Sequence, residues 1–350
     1  MFERFFKIFS SDIGIDLGTS NTLIYIKGQG VVLTEPSMVA INQKTGRVVA
    51  VGMDAKQMVG RTPAHIEAIK PLTNGVISNF EVAEEMLTYF IRRAGEVAGK
   101  SLFRPRVVVS VPTGITNVER RAVRDAIKNA GARFVHIVEV PMAAALGIRL
   151  PVHDPVGSMI IDIGGGSTDI AVVSLGGIVK SKNLYISGDK LNQDIMSYVR
   201  DEFKILLGEK TAEEVKIAIG SVYKEGEPKE ATIRGRDLVT GLPREVVITD
   251  ADIREAITHS IATLIDAIKE VLESTPPEVV SDIMRRGIVL VGGGSLIHGL
   301  RDLLEKEIQM PIHLDDEPST AVIRGTGVIL ENIANFQEIL IDNEDELPPR

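Results

Sequence analysis

The alternation of apolar and polar positions divides the chain into strand-like and helix-like stretches. Ser11–Gly28 (SDIGIDLGTSNTLIYIKG) holds two apolar, β-prone runs joined by Gly, Thr, Ser and Asn, the pattern of a hairpin. A third strand, VVLTEPSMVAI, is expected at 31–41. From Glu81 to Ala98, Val82, Met86, Leu87, Phe90 and Ile91 recur at helical spacing. RPRVVVSVP at 104–112 reads as a buried strand. A helix is expected from Asn117, read as its N-cap, to Gly131, followed by a strand, RFVHIVEV. Pro141 then sits in the first turn of a helix, where proline is tolerated. A second β-rich unit runs from Ser158 to Val179, with helices expected at Asp189–Leu207 and Thr211–Ile219. A β-like stretch at 230–249 precedes a long helix, Asp250–Ser274, and GIVLVGGGSLIHGLRDLLEKEI reads as strand, glycine turn, helix. The acidic tail after Ile341 is expected to be disordered.

The two β-rich units repeat one pattern. IGIDLGTSNTLI (Ile13–Ile24) and MIIDIGGGSTDIAV (Met159–Val172) both read apolar strand, Asp, apolar residue, Gly, small or hydroxyl residues, strand. A carboxylate at the end of a buried strand is costly unless a charge compensates it, and a metal-bound phosphate does so. Gly18–Asn21 and Gly164–Thr168 let backbone N–H groups approach phosphate oxygens from opposite sides. Asp16 and Asp162 then face each other across a cleft, placed to hold magnesium through water. A third turn, Gly292-Gly293-Gly294-Ser295, offers flat backbone to an adenine or sugar. The expectation is ATP with magnesium between two related α/β lobes.

Composition narrows the classes. A chain of 350 residues, 44% hydrophobic and 25% charged, fits about two folded domains. A net charge of -9 without a concentration of Lys and Arg argues against nucleic acid as a partner. The absence of cysteine excludes disulfides, thiolate zinc and a cysteine nucleophile, and points to a reducing cytosol. No apolar run approaches the roughly twenty residues of a membrane span, and no signal peptide is legible. Phe2, Phe5, Phe6 and Phe9 nevertheless share one helical face opposite Glu3, Arg4 and Lys7, the pattern of an interfacial amphipathic helix.

The three turns, in this order, resemble the nucleotide signature of the actin, sugar-kinase and heat-shock-chaperone ATPase superfamily. DIGIDLGTSNTLIY, EPSMVAI, NGVISNFEVAEEML, VPTGITNVERRAV, PMAAALG, DIGGGSTDIAV, GDKLNQDI and TPPEVVSDIMRRGIVLVGGGSLIHGL narrow the likeness to the MreB family of bacterial actins, over nearly the whole chain. The resemblance implies an α/β actin-like ATPase fold of two pseudo-repeated lobes, each with a β-sheet and flanking helices, and two smaller inserted subdomains around a nucleotide cleft. The boundaries it implies are a membrane helix at 1–10, subdomain IA at 11–36, 72–150 and 320–340, IB at 37–71, IIA at 151–188 and 252–319, IIB at 189–251, and a tail at 341–350. It implies binding of ATP or ADP with Mg2+ by Gly18, Thr19, Ser20, Asn21, Gly164, Gly165, Gly166, Ser167, Thr168 and Gly188. Ribose contacts fall on Glu213, Glu214 and Lys216, and the adenosine end on Gly292, Gly293, Gly294 and Ser295. Leu102 and Phe103, flanked by Lys100, Arg104 and Arg106, look like the family's membrane loop, which with the N-terminal helix would meet an anionic membrane surface. The implied role is self-assembly into antiparallel double filaments on the inner face of the cytoplasmic membrane, organising wall synthesis with cell-wall elongation proteins and keeping cells rod-shaped.

One position departs from the family. A Glu that orients the attacking water normally precedes the Pro of the PMAAA helix; here Val140 stands there, with Glu139 one residue earlier and the hydroxyl partner kept as Ser167. Normal ATP binding with slow hydrolysis is the expectation. Two readings compete: a small-molecule kinase of the same superfamily, for which no substrate carboxylate is assignable, and a filament for plasmid or organelle positioning. A chaperone is expected to continue past GTGVILENI. The basic helix NVERRAVRDAIKNAG is either a filament-pairing face or a solvated one.

Overall fold

The Gly, Thr, Ser, Asn cluster turns the chain back on itself, so that β1 (Ile13–Leu17) and β2 (Asn21–Ile26) pair antiparallel with Ile15 opposite Ile24. The computed structural model describes residues 12–99, 104–224 and 227–341. β3 (Gly30–Pro36) extends the meander, but the expected single strand at 31–41 is two. Pro36 cannot donate to a further ladder, the chain turns at Ser37, and β4 (Val39–Asn42) opens another sheet. β4 is flanked by β5 (Arg47–Val51) and β6 (Ile66–Ile69), with the short helix α1 (Met53–Met58) between those two. A small ladder, β7 (Leu72–Thr73) with β8 (Val76–Ile77), leads into α2 (Phe80–Ala98). α2 is capped by Asn79, stops at left-handed Gly99, and buries the five apolar positions read from the sequence. β9 (Arg106–Val111) runs parallel to β1. α3 (Asn117–Asn129) crosses to β10 (Phe134–Glu139), and α4 (Val140–Gly147) follows directly. Thr116, not Asn117, caps α3: its hydroxyl accepts from the Glu119 N–H while the Glu119 carboxylate accepts from the Thr116 N–H.

The second lobe repeats this course. β11 (Ser158–Ile163), β12 (Thr168–Ser174) and β13 (Gly177–Leu184) form a meander. α5 (Gly188–Phe203) ends earlier than expected because β14 (Ile205–Leu206) pairs with Asp237 and Arg236. α6 (Glu209–Ile219) and the hairpin of β15 (Glu230–Asp237) and β16 (Pro243–Thr249) complete this insertion. α7 (Asp250–Glu273) and α8 (Pro277–Arg286) return to β17 (Ile288–Val291), parallel to β11. The third glycine turn leads into one 3-10 turn, Gly293–Leu296; helix α9 (Leu300–Ile308) starts later, followed by β18 (Ile312–Leu314) and α10 (Ala321–Glu331). The two large sheets, β10-β9-β1-β2-β3 and β18-β17-β11-β12-β13, have the same order and the same parallel and antiparallel pairings.

Each lobe has its own apolar core, and a third core lies between them. α4, which closes the first sheet, packs against β11 and β12 of the second. α10, which closes the second sheet, packs against β1, β2 and β9 of the first. The two helices meet at Gly147 and Gly325, where a Cβ would lie 1.9 Å from the Ala321 carbonyl oxygen and 1.7 Å from the Ala143 carbonyl oxygen. The lobes are therefore joined by an exchange of helices.

Candidate functional site

Equivalent ends of β1 and β11 carry the two carboxylates. Asp16 stands beside Ser110 of β9 and accepts its hydroxyl proton at 2.9 Å. Asp162 stands opposite Asp169 of β12, and among the described residues no donor reaches its carboxylate. Burial raises the Asp16 pKa to about 6, with the Ser110 bond opposing. Burial, and then the charges of Asp16 and Asp169, raise Asp162 well above its ordinary value. Asp169 is also raised by burial, though Asn183 and both the N–H and hydroxyl of Thr113 donate to it at 2.8–3.0 Å. An excess of buried negative charge is left where the strands end, which a divalent cation would relieve. Among the described residues no three His, Asp or Glu side chains are grouped to hold a metal by themselves. Two carboxylates acting through water fit Mg2+, which keeps most of its hydration.

The glycine turns touch across the cleft. A Cβ on Gly165 would lie 2.0 Å from the Ser20 hydroxyl, and one on Gly166 2.2 Å from that of Thr19, so only glycine allows this approach. The Gly75 N–H donates to Thr19 Oγ1 at 2.9 Å. The start of α5 is tied to the second turn, the Gly188 N–H donating to the Gly164 carbonyl at 3.0 Å and the Asp189 N–H to that of Gly165 at 2.8 Å. Lys216 donates to the Gly188 carbonyl at 2.8 Å, and burial lowers its pKa. The structure thus gathers Asp16, Gly18, Thr19, Ser20, Asn21, Asp162, Gly164, Gly165, Gly166, Ser167, Gly188 and Lys216 at one place.

Other expected ligands have structural duties. Glu213 shares the Lys216 side of α6 and pairs with Lys56 at 3.5 Å, whereas Glu214 is exposed and faces Lys210 at 3.9 Å. The Thr168 hydroxyl is buried and donates to the Ile186 carbonyl, and that of Ser295 closes its own turn on the Gly292 carbonyl at 2.6 Å. Gly292 and Gly294 lie flat against Asp162 and Ile163 rather than against an open surface; of the three, only Gly293 would take a Cβ without a clash, its nearest neighbour being the Ser319 hydroxyl at 3.6 Å. Val140 begins α4, half-buried against the inter-lobe core. Glu139, its neighbour, has a pKa raised by burial and by Asp169, with Arg120 opposing.

Sequence reasoning missed Thr113, Asp169 and Asn183. The available signal was Asp169 itself, a charge inside the apolar strand TDIAVV, which demands partners. Phe2, Phe5, Phe6, Phe9, Leu102 and Phe103 lie outside the described residues. Among the described residues no helix is long and apolar enough to cross a membrane.

The family model for MreB/Mbl protein matches residues 10–338. The cell shape-determining protein MreB of Escherichia coli (strain K12) is 48% identical over 339 residues, 95% of this chain and 97% of that protein. Mbl of Bacillus subtilis (strain 168), also described as cell shape-determining, is 45% identical over 344 residues, 98% and 99% of the two. The crystal structure of MreB5 of Spiroplasma citri bound to ADP superposes with a TM-score of 0.88 at 39% identity, over 93% of this chain and 99% of that one. The MamK double helical filament shares the fold, with a TM-score of 0.78 at 22% identity, over 92% and 99%. On the family model and on the identities to MreB and Mbl alike, the chain belongs to the MreB/Mbl family of bacterial actins.

Proposed function

We propose that the chain is an ATP-dependent bacterial actin that polymerises into antiparallel double filaments on the inner face of the cytoplasmic membrane, organises wall synthesis and maintains rod shape. The observation that carries the nucleotide part is the pair of glycine turns in contact across the cleft, each beside a carboxylate on an equivalent strand, Asp16 half-buried and Asp162 buried. MreB5 of Spiroplasma citri, of the same fold, is described bound to ADP and to AMPPNP, which supports nucleotide in this cleft. Asp16 and Asp162 would hold Mg2+ through water, which neutralises phosphate charge when bound. The main-chain N–H groups of both turns would orient the triphosphate, and Lys216 and Glu213 would face the ribose. Val140 supplies no carboxylate to the attacking water, so turnover is slow and filaments persist.

Membrane attachment in this reading comes from the N-terminal phenylalanines and from Leu102 and Phe103. One short helix anchors weakly, and polymerisation multiplies it into avidity. The test is sedimentation with anionic liposomes and Mg-ATP, comparing the intact chain with one lacking residues 1–9 while phosphate release is recorded. The expected result is ATP-dependent co-pelleting with lipid that requires those residues, with slow phosphate release. Pelleting that does not depend on ATP would overturn the ATP-dependent filament, and the absence of polymer and lipid binding together with rapid ATP consumption triggered by a small substrate would replace it with a kinase.

A further inference from the structure

The mouth of the cleft is crossed by ion pairs, and Lys70, Asp189 and Glu209 among them have no side-chain role in the nucleotide reading. Lys70 follows β6, in the part of the chain that leads from the first lobe's sheet. Its ammonium donates to both oxygens of Asp189 at 3.1 Å and to Glu209 at 2.8 Å. Asp189 is the residue whose N–H holds the Gly165 carbonyl of the second glycine turn. Glu209 opens α6, the helix that carries Glu213 and Lys216, and Lys56 of α1 reaches Glu213 at 3.5 Å. Two lysines from one side of the cleft thus grip three carboxylates on the other. Side chains of Lys70 and Asp189 are only 26% and 25% exposed, so water and salt screen this contact less than an open surface pair.

We propose that Lys70 is a positioning residue of the nucleotide cleft, a strap between the two sides that must release Asp189 and Glu209 before nucleotide leaves, and so sets its residence time. The proposal rests on the nucleotide reading above. Both anchors of the strap are coupled to the site: Asp189 through its backbone bond to the second turn, and Glu209 through the helix that presents Lys216 to Gly188. Opening the cleft separates these charges. Interactions present only in the closed form act on the dissociation rate more than on the association rate.

The experiment loads the full-length chain with a fluorescent N-methylanthraniloyl ATP and magnesium, then chases with excess ATP and follows release. Lys70→Met keeps the aliphatic stem and removes the charge; release about three- to tenfold faster is expected, with little change in the association rate. The paired variant Asp189→Asn/Glu209→Gln should speed release similarly, and adding Lys70→Met to it should do nothing more, because the same contact is already gone. Raising salt to about 0.5 M should shrink the difference between Lys70→Met and the unmodified chain. Unchanged release from Lys70→Met, or simple multiplication of the separate effects, would overturn the strap alone. An unmodified chain that retains no labelled nucleotide would overturn the nucleotide reading and the strap with it.

Discussion

At position 140 a side chain with no proton to exchange begins α4, beside a strand that ends on a half-buried carboxylate, Glu139. Returning a carboxylate there is the direct measure of what the valine costs: Val140→Glu should raise phosphate release about 10²-fold or more, while Glu139→Gln in the unmodified background should leave it unchanged. A large loss on removing Glu139 would transfer the role to that residue. The carboxylates of the cleft make a second prediction, with a definite sign. Asp16 titrates near 6 in the folded chain against 3.8 as its ordinary value, so the metal-free folded state holds the proton more tightly than the unfolded one. Stability from this group is present at low pH and falls as pH rises from about 4 to about 6. Asp162 and Asp169 are shifted in the same direction, whereas Asp237, held down to about 2 by the N–H groups of Thr240 and Val239, acts below that window and with opposite sign. Urea unfolding of metal-free chain should therefore show Asp16→Asn gaining about 1–3 kcal/mol at pH 7 and close to nothing at pH 4. Equal effects at both pH values would remove burial as the cause of the shift.

Among the elements, α4 and α10 are bound to each other by absence of side chain. Gly325→Ala would place a methyl 1.7 Å from the Ala143 carbonyl oxygen, inside backbone that cannot give way as a flexible side chain does. A loss of about 3 kcal/mol or more is expected, read as a fall in the urea midpoint at unchanged slope; a neutral result would mean that the helices slide without cost. This glycine also explains an element the sequence hid. AVIRGTGVILE carries two glycines, which argue against a helix by local propensity, and only packing against β1, β2 and β9 outweighs that cost. α2 was legible from its apolar stripe, with which the Asn79 cap and the Gly99 stop found in the structure agree. The strand expected at 31–41 was half legible: the apolar run continues past Pro36, but the change of sheet at Ser37 depends on what the next strand pairs with. At the site the same division holds. Asp16, Asp162 and the glycine turns were readable because each motif is contiguous, whereas the Thr113–Asp169 contact joins residues 56 positions apart and leaves only an unexplained charge in a strand. Glu213 and Glu214 look alike in sequence, and helical geometry turns one to Lys56 and the other to Lys210.

For the molecule as a whole, the exchange of helices decides how the lobes come apart. The repeat of order in the two large sheets describes two similar units, each with its own core, and two such units in one chain often unfold separately. Here the third core is built from both: Val108, Val138 and Met142 from the first lobe's strands and from α4 meet Ile160, Val173 and Val291 from the second lobe's sheet. Neither lobe keeps its full apolar cover if the other unfolds, since α4 lies on β11 and β12 while α10 lies on β1, β2 and β9. Thr113 and Asp169 add a buried polar tie between the same units. Calorimetry of the metal-free monomer should therefore show one transition, with van't Hoff and calorimetric enthalpies in agreement, despite the two-lobed architecture. Mg-ATP at about a hundred times its dissociation constant should move that single transition upward by the equivalent of about 2.7 kcal/mol without splitting it, because ligand held by both glycine turns stabilises both lobes at once. Two transitions, with nucleotide shifting only one of them, would show that the helix exchange fails to couple the lobes and that one glycine turn alone carries the binding.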